Sequence, residues 1–279
     1  MCSVCKCADR LHPVGRLKPA LTLFVFLIAS AAAAADLRVC ADPNNLPFSN
    51  RVQQGFENAL AQLVAHDLGR TVKYYWWPQR RGFVRNTLNA GKCDVVMGVP
   101  SNYELTLTTQ PYYRSTYVFI TRHDRHLNIH SFNDSILKRL RIGVHEPGND
   151  YANVPPAQAL INRGLANNIV GYVLTGDYSK PNPPANLIDA VARGDIDVAI
   201  AWGPLGGYFS KREPVRLDVV PVSPQIDLPF LPFVFDISMG VRRGNQPMRD
   251  ALDSVLQRRQ SDIRALLARY GVPLVDGGS

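Results

Sequence analysis

Residues 89–98, Asn-Ala-Gly-Lys-Cys-Asp-Val-Val-Met-Gly, read as a helix end, a glycine stop, an aspartate and a short apolar run. Residues 192–201, Ala-Arg-Gly-Asp-Ile-Asp-Val-Ala-Ile-Ala, are a weak echo of the same phrase. Glycine ends a helix readily because it accepts the left-handed conformation that side chains resist. A short apolar run after such a stop suits a strand covered by helices on both faces. Two copies of this grammar predict two similar α/β blocks.

The surrounding sequence extends both blocks. Residues 37–41 form a strand that ends in the loop 42–48, Asp-Pro-Asn-Asn-Leu-Pro-Phe. Phe56, Leu60, Leu63, Val64 and Leu68 recur at helical spacing and Gly69 stops them. Residues 71–77 are a second strand, 80–90 a second helix closed by Gly91, and 92–98 a third strand. The second block opens with a strand at 141–144 and the loop 145–151, then a strand at 169–174, a helix at 186–193 and a strand at 197–202. This alternation predicts an α/β fold with largely parallel sheets. Residues 113–130 and the proline-rich 221–232 connect the blocks, and a helical tail, 248–270, must return to one of them. Two crossings imply two lobes and a hinged cleft, with 36–121 plus 230–279 as lobe 1 and 122–229 as lobe 2.

The amino terminus reads as a secretory leader. Lys18 precedes an apolar run at 20–29, followed by Ser30 and five alanines before Asp36. That order predicts a signal peptide over residues 1–35, cleaved near Ala35. The run is too short for a membrane span. The long basic stretch before it places the expected start codon downstream of Met1. The leader carries Lys6, Arg10, Arg16 and Lys18 against Asp9, so the remainder has 27 basic and 22 acidic residues, net +5. No basic run long enough to track a phosphate backbone is present, which argues against nucleic acid as a partner. Cys2, Cys5 and Cys7 leave with the leader. Cys40 and Cys93 remain, an even pair for an oxidising compartment. In a doubly wound sheet of order 2-1-3 their two strands are neighbours, which predicts a disulfide; two buried free thiols are the alternative.

Several long words carry a resemblance. Residues 41–50 (Ala-Asp-Pro-Asn-Asn-Leu-Pro-Phe-Ser-Asn), 76–83 (Trp-Trp-Pro-Gln-Arg-Arg-Gly-Phe), 111–119 (Pro-Tyr-Tyr-Arg-Ser-Thr-Tyr-Val-Phe) and 235–245 (Phe-Asp-Ile-Ser-Met-Gly-Val-Arg-Arg-Gly-Asn) lie in order between 36 and 271. The chain resembles type II periplasmic solute-binding proteins of family 3. Within them it is similar to the J-type (MoxJ/XoxJ) accessory proteins of PQQ-dependent methanol dehydrogenase operons. The resemblance implies a two-lobed type II fold with a hinge of two crossovers, a periplasmic location and a non-catalytic role in assembling or activating that dehydrogenase. It implies the dehydrogenase as protein client, its c-type cytochrome as a further partner, and no PQQ, haem or lanthanide held by the chain itself. Fold analogy alone carries the second expectation, a receptor passing a small polar or aromatic solute to an ABC importer.

Amino-acid receptors of this fold carry an Arg for the ligand carboxylate and an Asp for its amine. Counting along the matched segments, Asn102 and Trp202 stand in those places. Two charges of a zwitterion would then be stranded in a desolvated cleft, which disfavours an amino-acid ligand. Trp76, Trp77, Tyr112, Tyr113, Tyr117 and Trp202 fall at or near strand ends, which in doubly wound sheets face the crevice. About half should be core, because neighbours on a strand point to opposite sides. Trp77, Tyr112 and Trp202 are the expected cleft members. Asp42, Asn44, Asn45, Phe48, Gln79, Arg80, Arg81, Pro100, Asn102, Arg114, His145 and Asn149 complete the expected set, with the arginines at the rim for a client's carboxylates. Asp42 and the loop asparagines are expected to cap the first helix. His123, His126 and His130 read as surface residues rather than a metal site. Catalysis has little support. The only nearby carboxyl groups are Glu57, Glu104 and Asp150, with no evident pairing, and hydrolase, nucleotide and zinc motifs are absent from the sequence.

Overall fold

The computed structural model describes residues 35–146, 154–173 and 178–276, together with Met1. The leader ahead of Ala35, and the candidates Asn149 and Asp150, lie outside the described residues. Strand β1 (Leu37–Ala41) leads into a small hairpin, β2 (Asn44–Asn45) and β3 (Ser49–Asn50), and then into helix α1 (Phe56–Asp67). Next come β4 (Val72–Trp76), α2 (Phe83–Asn86), β5 (Val95–Pro100), the short β6 (Leu107–Thr108) and the long β7 (Tyr113–Arg122). The chain continues through β8 (Ile142–Glu146), α3 (Pro155–Asn162), β9 (Ile169–Val173), α4 (Asn186–Arg193), β10 (Val198–Trp202), α5 (Gly203–Ser210) and β11 (Leu217–Pro221). A second hairpin, β12 (Ile226–Asp227) and β13 (Leu231–Pro232), precedes β14 (Val234–Val241), α6 (Gln246–Arg258) and α7 (Gln260–Arg269).

The strands pair in the order β4-β1-β5-β14-β7-β10-β8-β9, with β6 beside β14 and β11 beside β7. Pairing is parallel within β4-β1-β5 and within β10-β8-β9, and antiparallel where β14 and β7 join them. The hydrogen-bonded path is therefore unbroken from one block to the other, and β7 is the joint. Its first residues, Tyr113–Thr116, pair with β14, while Tyr117–Thr121 pair with β10 and Val118–Arg122 with β11. The buried side chains divide in step. Leu37, Val39, Phe56, Leu60, Met97, Met239 and Leu252 pack together around α1, α6 and α7. Further along β7, alternate residues serve opposite faces of the sheet. Phe119 joins Phe132, Ile142, Leu160 and Phe233, whereas Val118 and Ile120 join Ile188, Val191 and Leu205.

The expected order 2-1-3 is present as β4-β1-β5. Four local expectations need correction. The helix expected over 80–90 is one turn only, because Gly82 enters it at φ 87 and Thr87 leaves helical geometry at φ −116, ψ −80. Asp42 does not cap α1. Gly55 is the cap residue, and the Asn58 side-chain oxygen accepts the N–H groups of Gly55 and Asn50, both at 3.1 Å. A Cβ on Gly55 would lie 1.9 Å from the Phe48 carbonyl oxygen, so the loop after β1 reaches α1 only over a glycine. The tail is two helices, broken at Arg259 (φ −104, ψ 17). The segment 221–232 is a hairpin as well as a connector, because β12 and β13 pair with each other.

Cys40, on β1, is disulfide-bonded to Cys93, two residues before β5, with Cα atoms 5.5 Å apart. The bond closes a loop with a sequence separation of 53, and chain-entropy arguments give such a cross-link about 4 kcal/mol. Replacing both cysteines by alanine should lower the unfolding free energy by that order, read as a lower urea midpoint. Adding reductant should shift the midpoint of the parent protein but not that of the double variant.

Candidate functional site

A cavity of about 310 Å³ lies where the ends of β5, β8 and β10 meet β7 and β14. The loop after β1 supplies Asn45 and Phe48, α1 supplies Glu57, and the segment after β4 supplies Gln79. Gly98, Val99 and Pro100 end β5 beneath it; Tyr113, Tyr117 and Ile237 come from β7 and β14. His145 closes β8, Ile200 and Trp202 end β10, and Val154 and Leu205 complete the wall. The carboxyl ends of strands converge here, the place where open α/β sheets bind ligands. No Lys or Arg is among the described lining residues.

The aromatic walls are interlocked. Tyr117 and Trp202 meet edge to face with centroids 5.4 Å apart, and Phe235 backs Trp202 at 5.8 Å. The Trp202 indole N–H donates to the Tyr113 hydroxyl oxygen. Behind the front wall, buried Asp42 ties three segments together. It accepts the Asn44 N–H at 2.7 Å, the Gln79 N–H at 2.6 Å and the Tyr178 hydroxyl at 2.9 Å. The Asn44 side chain donates to the Lys180 carbonyl at 2.8 Å and accepts the Asn182 N–H at 3.3 Å. The Asn45 side chain donates to Gln79 Oε1 at 3.0 Å. The loop after β1 is thus bonded directly to residues 178–182 beside α4.

Of the residues expected in the cleft, Asn45, Phe48, Gln79, Pro100, His145 and Trp202 line this cavity. Asp42 and Asn44 stand behind it. Trp77 does not line it but stacks on Tyr75 and packs against the Cys40–Cys93 cluster. Arg80 and Arg81 are exposed, and Asn102 sits in an exposed turn at φ 61 with its N–H on Thr108 Oγ1. Tyr112 and Arg114 line a separate depression with Arg264 and Asp276, and Arg114 pairs with Asp236 at 2.9 Å. Strand period explains Arg114: Tyr113 and Tyr117 share the cavity face of β7 and Arg114 takes the other. Tyr112 precedes the strand, and its buried hydroxyl lies 3.8 Å from where a Gly98 Cβ would stand, close to Glu57. His123 bonds Asp218 and His130 bonds Asn128. Glu104 is exposed. Glu57, which the sequence offers only as a nearby carboxyl group, is a wall residue; its signal is an acid in the first turn of α1, the helix that follows the β1 loop.

Residues 37–273 match the model of bacterial extracellular solute-binding proteins, family 3. The chain belongs to that family. Protein MoxJ of Methylorubrum extorquens is 31% identical over 258 residues, covering 88% of this chain and 84% of MoxJ. The crystal structure of periplasmic binding protein XoxJ from Methylobacterium extorquens AM1 is 37% identical, with a TM-score of 0.71 over 86% of this chain and 100% of that one. That of MxaJ from Methlophaga aminisulfidivorans MPT is 28% identical, with a TM-score of 0.75 over the same shares. The fold is that of type II periplasmic binding proteins.

This family 3 protein has two titratable groups in its cavity, displaced in opposite senses. Burial, and then the nearby negative charge of Asp42, raise the Glu57 pKa from 4.5 to about 8. Glu57 has no hydrogen-bond or ion-pair partner among the described residues, and its Oε1 lies over Gly98, where a Cβ would come within 2.3 Å. Burial lowers the His145 pKa from 6.5 to about 4, opposed by a hydrogen bond to the Pro184 backbone. Its Nε2 is buried without a partner. Near neutral pH both groups are uncharged.

The linkage signs differ. A raised carboxyl pKa means the folded state holds a proton that the unfolded state has released, so Glu57 contributes stability that is lost as pH rises from about 4.5 through 8. His145 acts oppositely, costing stability as pH falls from 6.5 through 4. Glu213, raised to about 7, adds to the loss only below that pH. Between pH 7 and 8.5, therefore, the Tm of the protein should fall, and Glu57→Gln should flatten that decline. An equal decline in Glu57→Gln would assign the effect elsewhere.

Proposed function

We propose that this chain is a non-catalytic periplasmic accessory protein that assists assembly or activation of a PQQ-dependent methanol dehydrogenase. The observation that carries the reading is the likeness to XoxJ and MoxJ over most of the chain. The leader expected over 1–35 supplies export to the periplasm. The lobes of this reading are 36–121 plus 230–279 and 122–229, with 113–130 and 221–232 as the two crossovers. The client is the dehydrogenase, with its c-type cytochrome as a second candidate partner. The chain itself is read as holding no cofactor.

A surface feature favours a protein client. The β12–β13 hairpin exposes Leu228 at 85%, Phe230 at 90% and Ile226 at 56% of their full areas. The Arg163 guanidinium donates to both carboxylate oxygens of Asp227, at 2.5 and 3.0 Å, and so fixes the hairpin base against α3. Contiguous large apolar side chains in water mark contact surfaces. The exposed Arg80 and Arg81 supply positive charge for a client's carboxylates. The second reading, a receptor for a small polar or aromatic solute, draws on the enclosed cavity.

Deleting the gene should leave the dehydrogenase under-active or under-loaded with PQQ; full activity and full cofactor occupancy would refute the role. Purified dehydrogenase should capture this chain, and Phe230→Asp should weaken capture about tenfold or more. Arg80→Glu with Arg81→Glu should reduce the salt dependence of capture. Capture unaffected by Phe230→Asp would remove the hairpin as the contact.

A further inference from the structure

We propose that the chain carries a second binding site, for a carboxylate joined to an apolar body, with Lys211, Arg216 and Ser210 as its donors. The site lies between the end of α5, β11 and the segment after α7. The proposal goes beyond the accessory-protein reading and stands without it, because it concerns what the isolated chain binds.

A cavity of about 480 Å³ opens there, with no described lining residue in common with the one at the strand ends. The backbones of α5 and of the segment after α7 meet in its wall, where a Cβ on Gly207 would lie 2.0 Å from the Gly271 carbonyl oxygen. The Lys211 stem crosses the same place, its Cε 3.0 Å from where a Gly271 Cβ would stand. Lys211 and Arg216 both line the cavity, and neither side chain has a partner among the described residues. Ser210 shares the wall; it is 8% exposed, and its Oγ is buried without a partner. A buried hydroxyl with nothing to bond costs free energy that a ligand's acceptor recovers. Two cationic donors beside such a hydroxyl call for a group that is negatively charged and only accepts. A carboxylate meets that need and matches the guanidinium fork of Arg216.

Two acids also line the cavity, and both are engaged elsewhere. The Asp218 carboxylate oxygens lie 2.9 and 3.0 Å from His123 Nδ1. Glu213 bears on α4: burial, and then a hydrogen bond shared with Asp189, raise its pKa to about 7, with Arg193 opposing. At pH 6 Glu213 therefore holds its proton and leaves the two cations uncancelled. The rest of the wall is largely apolar, from Pro214, Val215, Leu217, Val219 and Pro273. A ligand with an apolar body removes that surface from water, which a bare inorganic anion does not do. No covalent bond changes on binding.

The same chemistry has two sources, a free organic acid or an acidic side chain on a polypeptide. Titration of the purified chain at pH 6, followed by amide-resolved NMR, uses 4-phenylbutanoate and separately the acetylated, amidated tripeptide Leu-Glu-Leu. Amides within 210–219 and 271–273 should shift, whereas those of 98–100 and 200–202 should not. At the shifting amides, 4-phenylbutan-1-ol and 4-phenylbutylammonium should bind at least tenfold more weakly. Arg216→Ala and Lys211→Ala should each weaken binding about fivefold or more. Ser210→Ala should weaken it about threefold while leaving Tm unchanged or higher, since it removes an unsatisfied hydroxyl from the free chain. Circular dichroism of each variant establishes that it is folded. Tighter binding of 4-phenylbutanoate assigns the site to free acids, and equal or tighter binding of the tripeptide assigns it to a polypeptide. No binding of either probe at millimolar concentration would overturn the proposal. So would equal binding of the alcohol or the ammonium ion, or shifts that survive the combined Lys211→Ala and Arg216→Ala substitutions. None of these outcomes involves the dehydrogenase, so they leave the accessory role to its own test.

Discussion

Everything in this fold hangs on the divided hydrogen bonding of β7. One ten-residue strand satisfies its first backbone groups on β14 and its last on β10 and β11. A buried backbone N–H or C=O left without a partner is costly, so both sets of strands are held to that single segment. Period-two alternation then does the rest. Val118 and Ile120 go to the helices α4 and α5, Phe119 goes to the opposite face, and Tyr113 and Tyr117 reach the cavity. The strand that joins the two blocks is therefore also the floor of the site.

The cavity has an unusual electrostatic character for so enclosed a space. Aromatic rings enclose two titratable groups that burial has discharged, while just behind the wall burial also raises the pKa of Asp42, against three donors that favour its carboxylate. The Asp42 network joins the loops after β1 and β4 to the segment before α4 through hydrogen bonds. Ion pairs such as Arg38–Asp94, Arg163–Asp227 and Arg258–Asp67 are placed away from it. Charge is thus spent on fixing segments at the periphery, where solvent limits both its benefit and its cost.

Two surfaces of different chemistry follow from one chain: an enclosed aromatic cavity suited to a small group, and an exposed apolar hairpin suited to a protein. They lie on separate elements, and substitutions in one leave the other's contacts untouched. That separation is what allows an accessory role and a ligand-binding role to be examined independently in the same molecule.

Periodicity and turn chemistry alone were enough for β1, α1, β4, α4, β10, the 2-1-3 strand order and the Cys40–Cys93 pairing, because each rests on local backbone preference or on the neighbour relations of parallel strands. Six of the fifteen described lining residues were legible too, since strand ends and the loops after them face the crevice by topology. The remainder depended on long-range placement. A helix read over 80–90 shrank to one turn because Gly82 and Thr87 obey the geometry of their surroundings rather than the apolar spacing. Arg114 faces away from the cavity because register on β7 is set by pairing with β14, and a shift of one residue reverses the face. Glu57 is an ordinary helix residue in sequence; only the approach of α1 to a bare Gly98 turns it into an unpaired acid in an aromatic wall. The sequence by itself determined most of the strands and helices and the alternation that makes the fold α/β, because those follow from local patterns, while the type II binding fold was legible only through the family resemblance. Which side chains share the cavity, and with what charge, was decided by tertiary structure, because desolvation depends on everything packed around a group.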